Sequence, residues 1–162
     1  MSARALLLAA LALTGCAESL VAAPVCERPA SLDVALASGP LLNPDPSGTP
    51  LPTEIRVLAL REPDALASAT FEDAWQPSGT LEAAIVSTET VTLYPGETAH
   101  VAVAPGAEVH ALAALAIVRQ PAGRTWRVVV PVEELPCGSD AALALRVDEY
   151  RIEREGETRR IP

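Results

Sequence analysis

Apolar and polar residues alternate along most of this chain, and the alternation breaks at clusters of proline and glycine. From Ser31 to Ser38, Leu32, Val34 and Leu36 face one way while Ser31, Asp33 and Ala35 face the other. A period of two places successive side chains on opposite faces of an extended backbone, so this stretch predicts a half-buried strand. Glu54 to Arg61 predicts a second: Ile55 and Val57 share one face, and Leu58 and Leu60 take the opposite one. That reversal implies either apolar cover on both faces or a bulge. Thr88 to Tyr94 alternates with Val91 and Leu93 inward, and Ala99 to Ala104 answers with Val101 and Val103. Pro95-Gly96 between them is a turn signal, so the two read as a hairpin. Val109 to Arg119 is apolar on both faces, a pattern that buried strands and helices share. Its place between turn signals in a series of strands favours strand. Thr125 to Val132 puts Trp126, Val128, Val130 and Val132 on one face. Ala141 to Ile152 does the same with Leu143, Leu145 and Val147, then switches faces at Tyr150 and Ile152. A bulge near Asp148-Glu149 would account for the switch.

Two segments depart from this period. Phe71, Ala74 and Trp75 fall at i, i+3 and i+4, which suits one face of a short helix. Ser68 or Asp64 is its expected cap, and Pro77-Ser78-Gly79 its stop. Gly39 to Pro50 carries four prolines, two glycines, Asn43 and Asp45, and reads as a loop too long for a tight hairpin. Leu41 and Leu42 are unusual there. They either tuck back onto the core or form an apolar tip. About seven short strands with one inserted helix predict an all-β fold, a two-sheet β-sandwich with a short helical insertion. The expected boundaries are 30–155 for the sandwich and 156–162 for a charged, frayed end.

The amino end carries a different signal. Ala5 to Leu13 is apolar, Arg4 is the charge before it, and Leu13-Thr14-Gly15-Cys16 follows. That order reads as a secretory signal over 1–15. The apolar run is too short to span a bilayer, which takes about 20 residues. Leu-Thr-Gly-Cys resembles the bacterial lipobox. The resemblance implies cleavage before Cys16, a diacylated thiol and an acylated new amino end. Two or more acyl chains give stable anchoring where one gives marginal binding. Ala17 would be the second residue of the mature chain. In lipoproteins of double-membraned bacteria an Asp there favours the inner membrane, so its absence favours the outer one. Residues 16–29 then form the tether of a domain facing the periplasm. With Cys16 acylated, Cys26 and Cys137 remain, and an even remainder in an oxidising compartment suggests a disulfide. The alternative is a pair of thiols too far apart to join. A bridge closing so long a loop would contribute about 4–5 kcal/mol in the chain-entropy model.

Composition narrows the function. Half of the 162 residues are hydrophobic but only 3% are aromatic, so Val, Leu, Ile and Ala must build the core. A net charge of −9 argues against nucleic acid, because phosphate neutralisation needs clustered Lys and Arg. It argues equally against docking on anionic lipid. The sequence holds no Gly-x-Ser-x-Gly, P-loop, dinucleotide glycine fingerprint or Cys-x-x-Cys. His100 and His110 are ten residues apart on different predicted strands, with no evident ligand set around them. Asp64, Glu72 and Asp73 suit the start of a helix. Asn43 and Asp45 offer too few oxygens for calcium, and their plainer role is bonding the backbone of their own turn. The reading is of a non-enzymatic protein whose sole attached group is the lipid on Cys16.

A family resemblance runs through the middle of the chain. Leu42-Asn43-Pro44-Asp45, then Gly48, Pro52 and Ile55-Arg56-Val57-Leu58-Ala59-Leu60 resemble the opening of the type VI secretion lipoproteins, the TssJ family. There an Asn-Pro-Asp-like loop precedes a strand reading VRVYQL. Phe71 and Ala74-Trp75 resemble that family's Phe-x-x-Ala-Asp-Phe helix, and Leu93-Tyr94-Pro95-Gly96-Glu97 its Leu-x-Pro-Gly-Glu turn. Ala113 to Arg119 and Thr125-Trp126-Arg127 resemble its apolar strand and Trp-Arg pair. Leu58 departs from the family's usual aromatic, and Gln76 to Ser87 matches poorly. The resemblance implies a transthyretin-like sandwich and a role as outer-membrane anchor of the secretion envelope complex. The partner it implies is the periplasmic C-terminal part of a TssM-like inner-membrane protein. The loop that carries Leu41, Leu42, Asn43 and Asp45 is the candidate contact, with Leu41 or Leu42 as its apolar anchor. The rival reading is a binding module for a small ligand or cell-wall sugar. It would need aromatic and polar groups converging in a concave site, drawn from Trp75, Trp126, Phe71, Tyr94 and Tyr150, with Trp126 expected in the core.

Overall fold

A computed structural model of the chain describes residues 29–138 and 142–156. Within them the strands are β1 (Leu32–Ser38), β2 (Thr53–Leu60), β3 (Ile85–Leu93), β4 (Thr98–Val103), β5 (Ala111–Ala116), β6 (Arg127–Pro131), β7 (Ala142–Asp148) and β8 (Arg151–Arg154). They form two sheets, ordered β4-β1-β7-β8 and β3-β2-β5-β6. The predicted sandwich is there. Leu32, Val34 and Leu36 of β1 point inward beside Val101 and Val103 of β4 and Leu143 and Leu145 of β7. Ile55 and Val57 of β2, with Leu112 and Ala114 of β5, close the core from the other sheet. Burying one face of each sheet supplies the main driving force, since removing apolar surface from water is the dominant favourable term.

The ambiguity over β2 resolves both ways. Leu58 and Leu60 point away from the sandwich core into a second cluster with Ala113 and Leu115 of β5. Three short helices cover that outer face: α1 (Pro63–Ala67), α2 (Phe71–Trp75) and α3 (Gly79–Ala84). They bury Leu66, Ala74 and Leu81 against it. The strand also bulges where its register on β3 shifts between Ala59 and Leu60. With cover on both faces, β5 is buried throughout, which explains why its sequence lacks alternation.

Five local expectations are corrected. The single helix is three. Thr70, not Ser68 or Asp64, caps α2: its hydroxyl accepts from the Asp73 N–H at 3.2 Å, and the Asp73 carboxylate accepts from the Thr70 N–H at 3.1 Å. Gly79 starts α3 instead of only ending a helix. The hairpin across Pro95-Gly96 does not form, because β3 pairs with β2 while β4 pairs with β1 in the other sheet. Alternation reports which face is buried but not which strand lies alongside, so a turn between sheets leaves the same pattern as a hairpin. The switch near Asp148-Glu149 is a reversal, not a bulge. Asp148 pairs with Arg151 and Val147 with Ile152, so the inward positions are odd-numbered before the turn and even-numbered after it. Glu149 takes a left-handed φ of 49° to make that two-residue turn.

If the helices close the outer face, Leu66→Ala should cost roughly 2–5 kcal/mol, the range for deleting a fully buried Leu side chain. Urea unfolding of the soluble domain measures it. A loss under about 0.5 kcal/mol, the size of a surface change, would mean that the helices merely lie on the sheet.

Candidate functional site

Antiparallel pairing collects four connections at one end of the sandwich. There β1, β3, β5 and β7 end, and β2, β4, β6 and β8 begin. The connections are residues 39–52, 94–97, 117–126 and 149–150. The chain enters β1 at the opposite end.

Hydrogen bonds tie these connections into one body. The Ser38 hydroxyl lies 2.7 Å from the Tyr94 carbonyl and 3.1 Å from the Glu97 carbonyl, and accepts from the Glu97 N–H at 3.0 Å. The Gly96 N–H reaches the Gly39 carbonyl at 3.3 Å. Gly39 is buried against Asp148, and a Cβ there would sit 2.0 Å from Asp148 Oδ1, so only glycine fits the present packing. Beyond it the chain divides in two. Leu41 stays half exposed, at 50%, while Leu42 is fully buried in the sandwich core. Asn43 then turns the chain with a left-handed φ of 44°, a conformation asparagine tolerates better than most residues. Its N–H donates to the Glu149 carbonyl at 2.7 Å, and its side-chain Oδ1 accepts from the Arg119 N–H at 2.9 Å. The Tyr150 hydroxyl donates to the Pro44 carbonyl at 2.8 Å. One loop is thus pinned to the other three.

Asp45 organises the remainder. Its Oδ1 accepts from the Ser47 N–H at 2.8 Å, the Ser47 hydroxyl at 2.6 Å and the Thr49 N–H at 2.9 Å. The Ser47 hydroxyl, then the Thr49 N–H, hold its carboxyl below the usual carboxylate value. A lowered folded value means the turn's support is complete above the unfolded pKa and fades as pH falls through the lowered one.

The predicted site residues therefore separate into two roles. Leu41 is at the surface. Leu42 is not an apolar tip: it plugs the core, because an exposed Leu beside a sandwich mouth gains more by burial. Asn43, 5% exposed, and Asp45 hold the loop's shape. Tyr94, 51% exposed, sits on the turn that Ser38 bonds to this loop, and sequence reasoning had not joined it to Leu41. Its outward position in the alternation of β3 was the available signal. Trp126 is half-buried and packs against both apolar clusters, at the margin of the core. Cys137 is disulfide-bonded. Cys16 and Cys26, with the signal and most of the tether, lie outside the described residues. His100 pairs with Asp33 at 2.9 Å across exposed strand faces, away from His110. Among the described residues no group of three or more His, Cys, Asp or Glu is placed to hold a metal ion.

Comparison with known proteins follows the same outline. Residues 30–150 match the T6SS-SciN family profile, described as type VI secretion lipoprotein, VasD, EvfM, TssJ. The fold is similar to the crystal structure of the T6SS lipoprotein TssJ1 from Pseudomonas aeruginosa, with a TM-score of 0.69 and 24% identity over 83% of this chain and 100% of that one. It is similar to a chain of a structure described as the T6SS protein TssM C-terminal domain from EAEC, with a TM-score of 0.68 and 20% identity over 76% and 96%. A chain of a structure described as the type VI membrane complex gives a TM-score of 0.72 at 20% identity over 78% and 98%. No curated protein matches the sequence.

Asn43 tests the pinning. Asn43→Gly keeps the left-handed turn but removes the carbonyl that accepts from the Arg119 N–H, and should cost about 0.5–1.5 kcal/mol, the net contribution of one hydrogen bond. Asn43→Ala adds backbone strain and should cost more. Thermal melts of both variants decide it. Equal stability in the two would show that the conformation contributes nothing.

Proposed function

The chain belongs to the type VI secretion lipoprotein family, and from that premise we propose that it anchors a type VI secretion membrane complex at the outer membrane. In this reading a lipid on Cys16 holds it there. Its loop end binds the periplasmic C-terminal domain of a TssM-like inner-membrane protein. The family is one of structural lipoproteins of the secretion membrane complex, not of enzymes.

One observation carries the proposal. The end of the domain opposite the start of β1 is a hydrogen-bonded cap presenting two large apolar side chains, Leu41 and Tyr94. Preorganised loops spare a complex the entropy of ordering them, so little area is needed for useful affinity. An exposed aromatic and an exposed aliphatic on bonded connections of the same end have the composition of an interface centre. The orientation agrees: lipid at one end, contact at the other, with the domain between two membranes. The similar chains in structures described as the TssM C-terminal domain and the type VI membrane complex support the choice of partner. Pairing of Cys26 with Cys137 belongs to the same proposal. It would leave about nine residues of free tether, reaching roughly 30 Å when extended.

Leu41→Asp and Tyr94→Ala should each weaken calorimetric binding to the cognate TssM-like periplasmic domain at least tenfold. Their stability should change by no more than about 0.5 kcal/mol, as at other exposed sites. Leu42→Asp should instead unfold the domain, because it buries a charge without a partner. Undiminished binding in both exposed-site variants would place the contact elsewhere. For the lipid, Cys16→Ser should move the protein from the membrane fraction to the soluble periplasm. A variant that stays with the membrane would refute the lipid anchor.

A further inference from the structure

The sequence has two Trp, two Tyr and one Phe. The core uses few of them, and Phe71, Trp75 and Trp126 form a chain of ring contacts at the edge of the helix layer. Trp75 is 42% exposed. Its position is nevertheless fixed. Arg56 Nη1 donates to its carbonyl at 2.6 Å, and the guanidinium lies 5.8 Å from its ring. The Phe71 ring is 6.0 Å from it at 59°, and itself meets Trp126 edge-on at 5.2 Å and 87°. Next to this platform Phe71, Glu72, Trp75 and Gln76 line a depression of about 280 Å³.

We infer that this depression is a binding site for an uncharged N-acetylated sugar ring, with the ring stacked on Trp75. Three features select that class. The indole face is flat, apolar and rigid, which matches the C–H face of a pyranose and the methyl of an acetamido group. The nearby cations are already occupied: Arg56 pairs with Glu54 at 2.6 Å, and Arg127 donates to the carbonyls of Ala67 and Ala69 at 2.7 Å each. The exposed rim is left with the Glu72 carboxylate, an acceptor, and the Gln76 amide, a donor and acceptor. That set suits hydroxyl and amide protons, and the net charge of −9 disfavours a polyanion. The volume is at the lower end for ligand sites, enough for a small ligand but not for a folded segment. This site lies on a sheet face and does not use the loop end. It depends on the proposed periplasmic placement only for the source of the sugar, a cell-wall glycan.

The test uses the mature full-length protein in a detergent without a sugar headgroup. It is titrated with triacetylchitotriose and, separately, with maltotriose, and the two indole N–H signals are followed by NMR. The expected result is a saturable shift of the Trp75 signal with triacetylchitotriose, at a Kd of about 1 mM or tighter. Maltotriose should bind at least fivefold more weakly. Trp75→Ala and Gln76→Ala should each weaken binding at least fivefold, and both should still bind the TssM-like domain normally. Absence of saturation, equal response to both sugars, or full binding in Trp75→Ala would each overturn the inference. Should Trp75→Ala fail to fold, the exposed changes Gln76→Ala and Glu72→Ala decide it in the same way.

Discussion

Burying Leu42 holds the loop end together. The side chain closes the mouth of the sandwich, and placing it there forces the chain to dive inward and return within three residues. Asn43 makes the return possible by accepting a left-handed backbone. Its side-chain carbonyl then accepts from the Arg119 N–H, tying this loop to the one after β5. Leu51 N–H closes onto the Leu42 carbonyl at 3.0 Å, so the exit strand is positioned by the same residue. Every other tie at this end, from Ser38 to Tyr150, acts on a loop whose path Leu42 has already set. Leu41, on the turn just before it, stays half exposed.

Much of this was legible in the residues, and the parts that were not share a cause. Leu32, Val34 and Leu36 announced a half-buried strand because period two is a property of the local backbone. Leu58 and Leu60 left outer cover and a bulge both open, and the structure has both. The partner of each strand is a non-local fact. Nothing within Val91 to Val103 distinguishes a hairpin from a step between sheets, and Pro95-Gly96 serves both. At Leu41-Leu42 the composition narrowed the choice to plug or tip without deciding it, and the structure uses one residue for each. The capping of α2 was misread because Thr70 satisfies its box with Asp73, a shorter acid than the usual Glu, while Ser68 and Asp64 stood closer to the general pattern. Tyr94 was visible as an outward residue. Its connection to Leu41 runs through Ser38, whose hydroxyl bonds span more than fifty residues of sequence.

The two outer faces of the sandwich are treated differently. On the β4-β1-β7-β8 sheet, outward positions carry exposed or half-exposed pairs such as His100 with Asp33 and Arg146 with Asp148. Such pairs in water contribute little stability and keep the surface soluble. On the β3-β2-β5-β6 sheet Leu58, Leu60, Ala113 and Leu115 point outward and need the helices. Those helices have five or six residues each, too few to be stable alone, so their order comes from packing Leu66, Ala74 and Leu81. The aromatic platform exists because the sheet recruits this layer and Phe71 and Trp75 are left along its rim.

An anchor between two membranes faces a mechanical requirement that a soluble binding domain does not. Load applied at the partner contact must reach the tether through the fold, and the weakest element in that path limits the assembly. β1 begins at the tether side and runs directly to Ser38 at the loop end. It sits inside its sheet, with β4 antiparallel on one side and β7 parallel on the other. Tension along β1 therefore loads two ladders of hydrogen bonds in shear, so many bonds share it instead of opening one at a time. The disulfide at Cys137 lies in the segment leading to β7, the strand parallel to β1. A cross-link from that segment to the tether, as proposed for Cys26, would pass load to the neighbouring strand before β1 itself could slide. For the anchoring role proposed above, the position of β1 inside its sheet matters more than any single contact at the loop end.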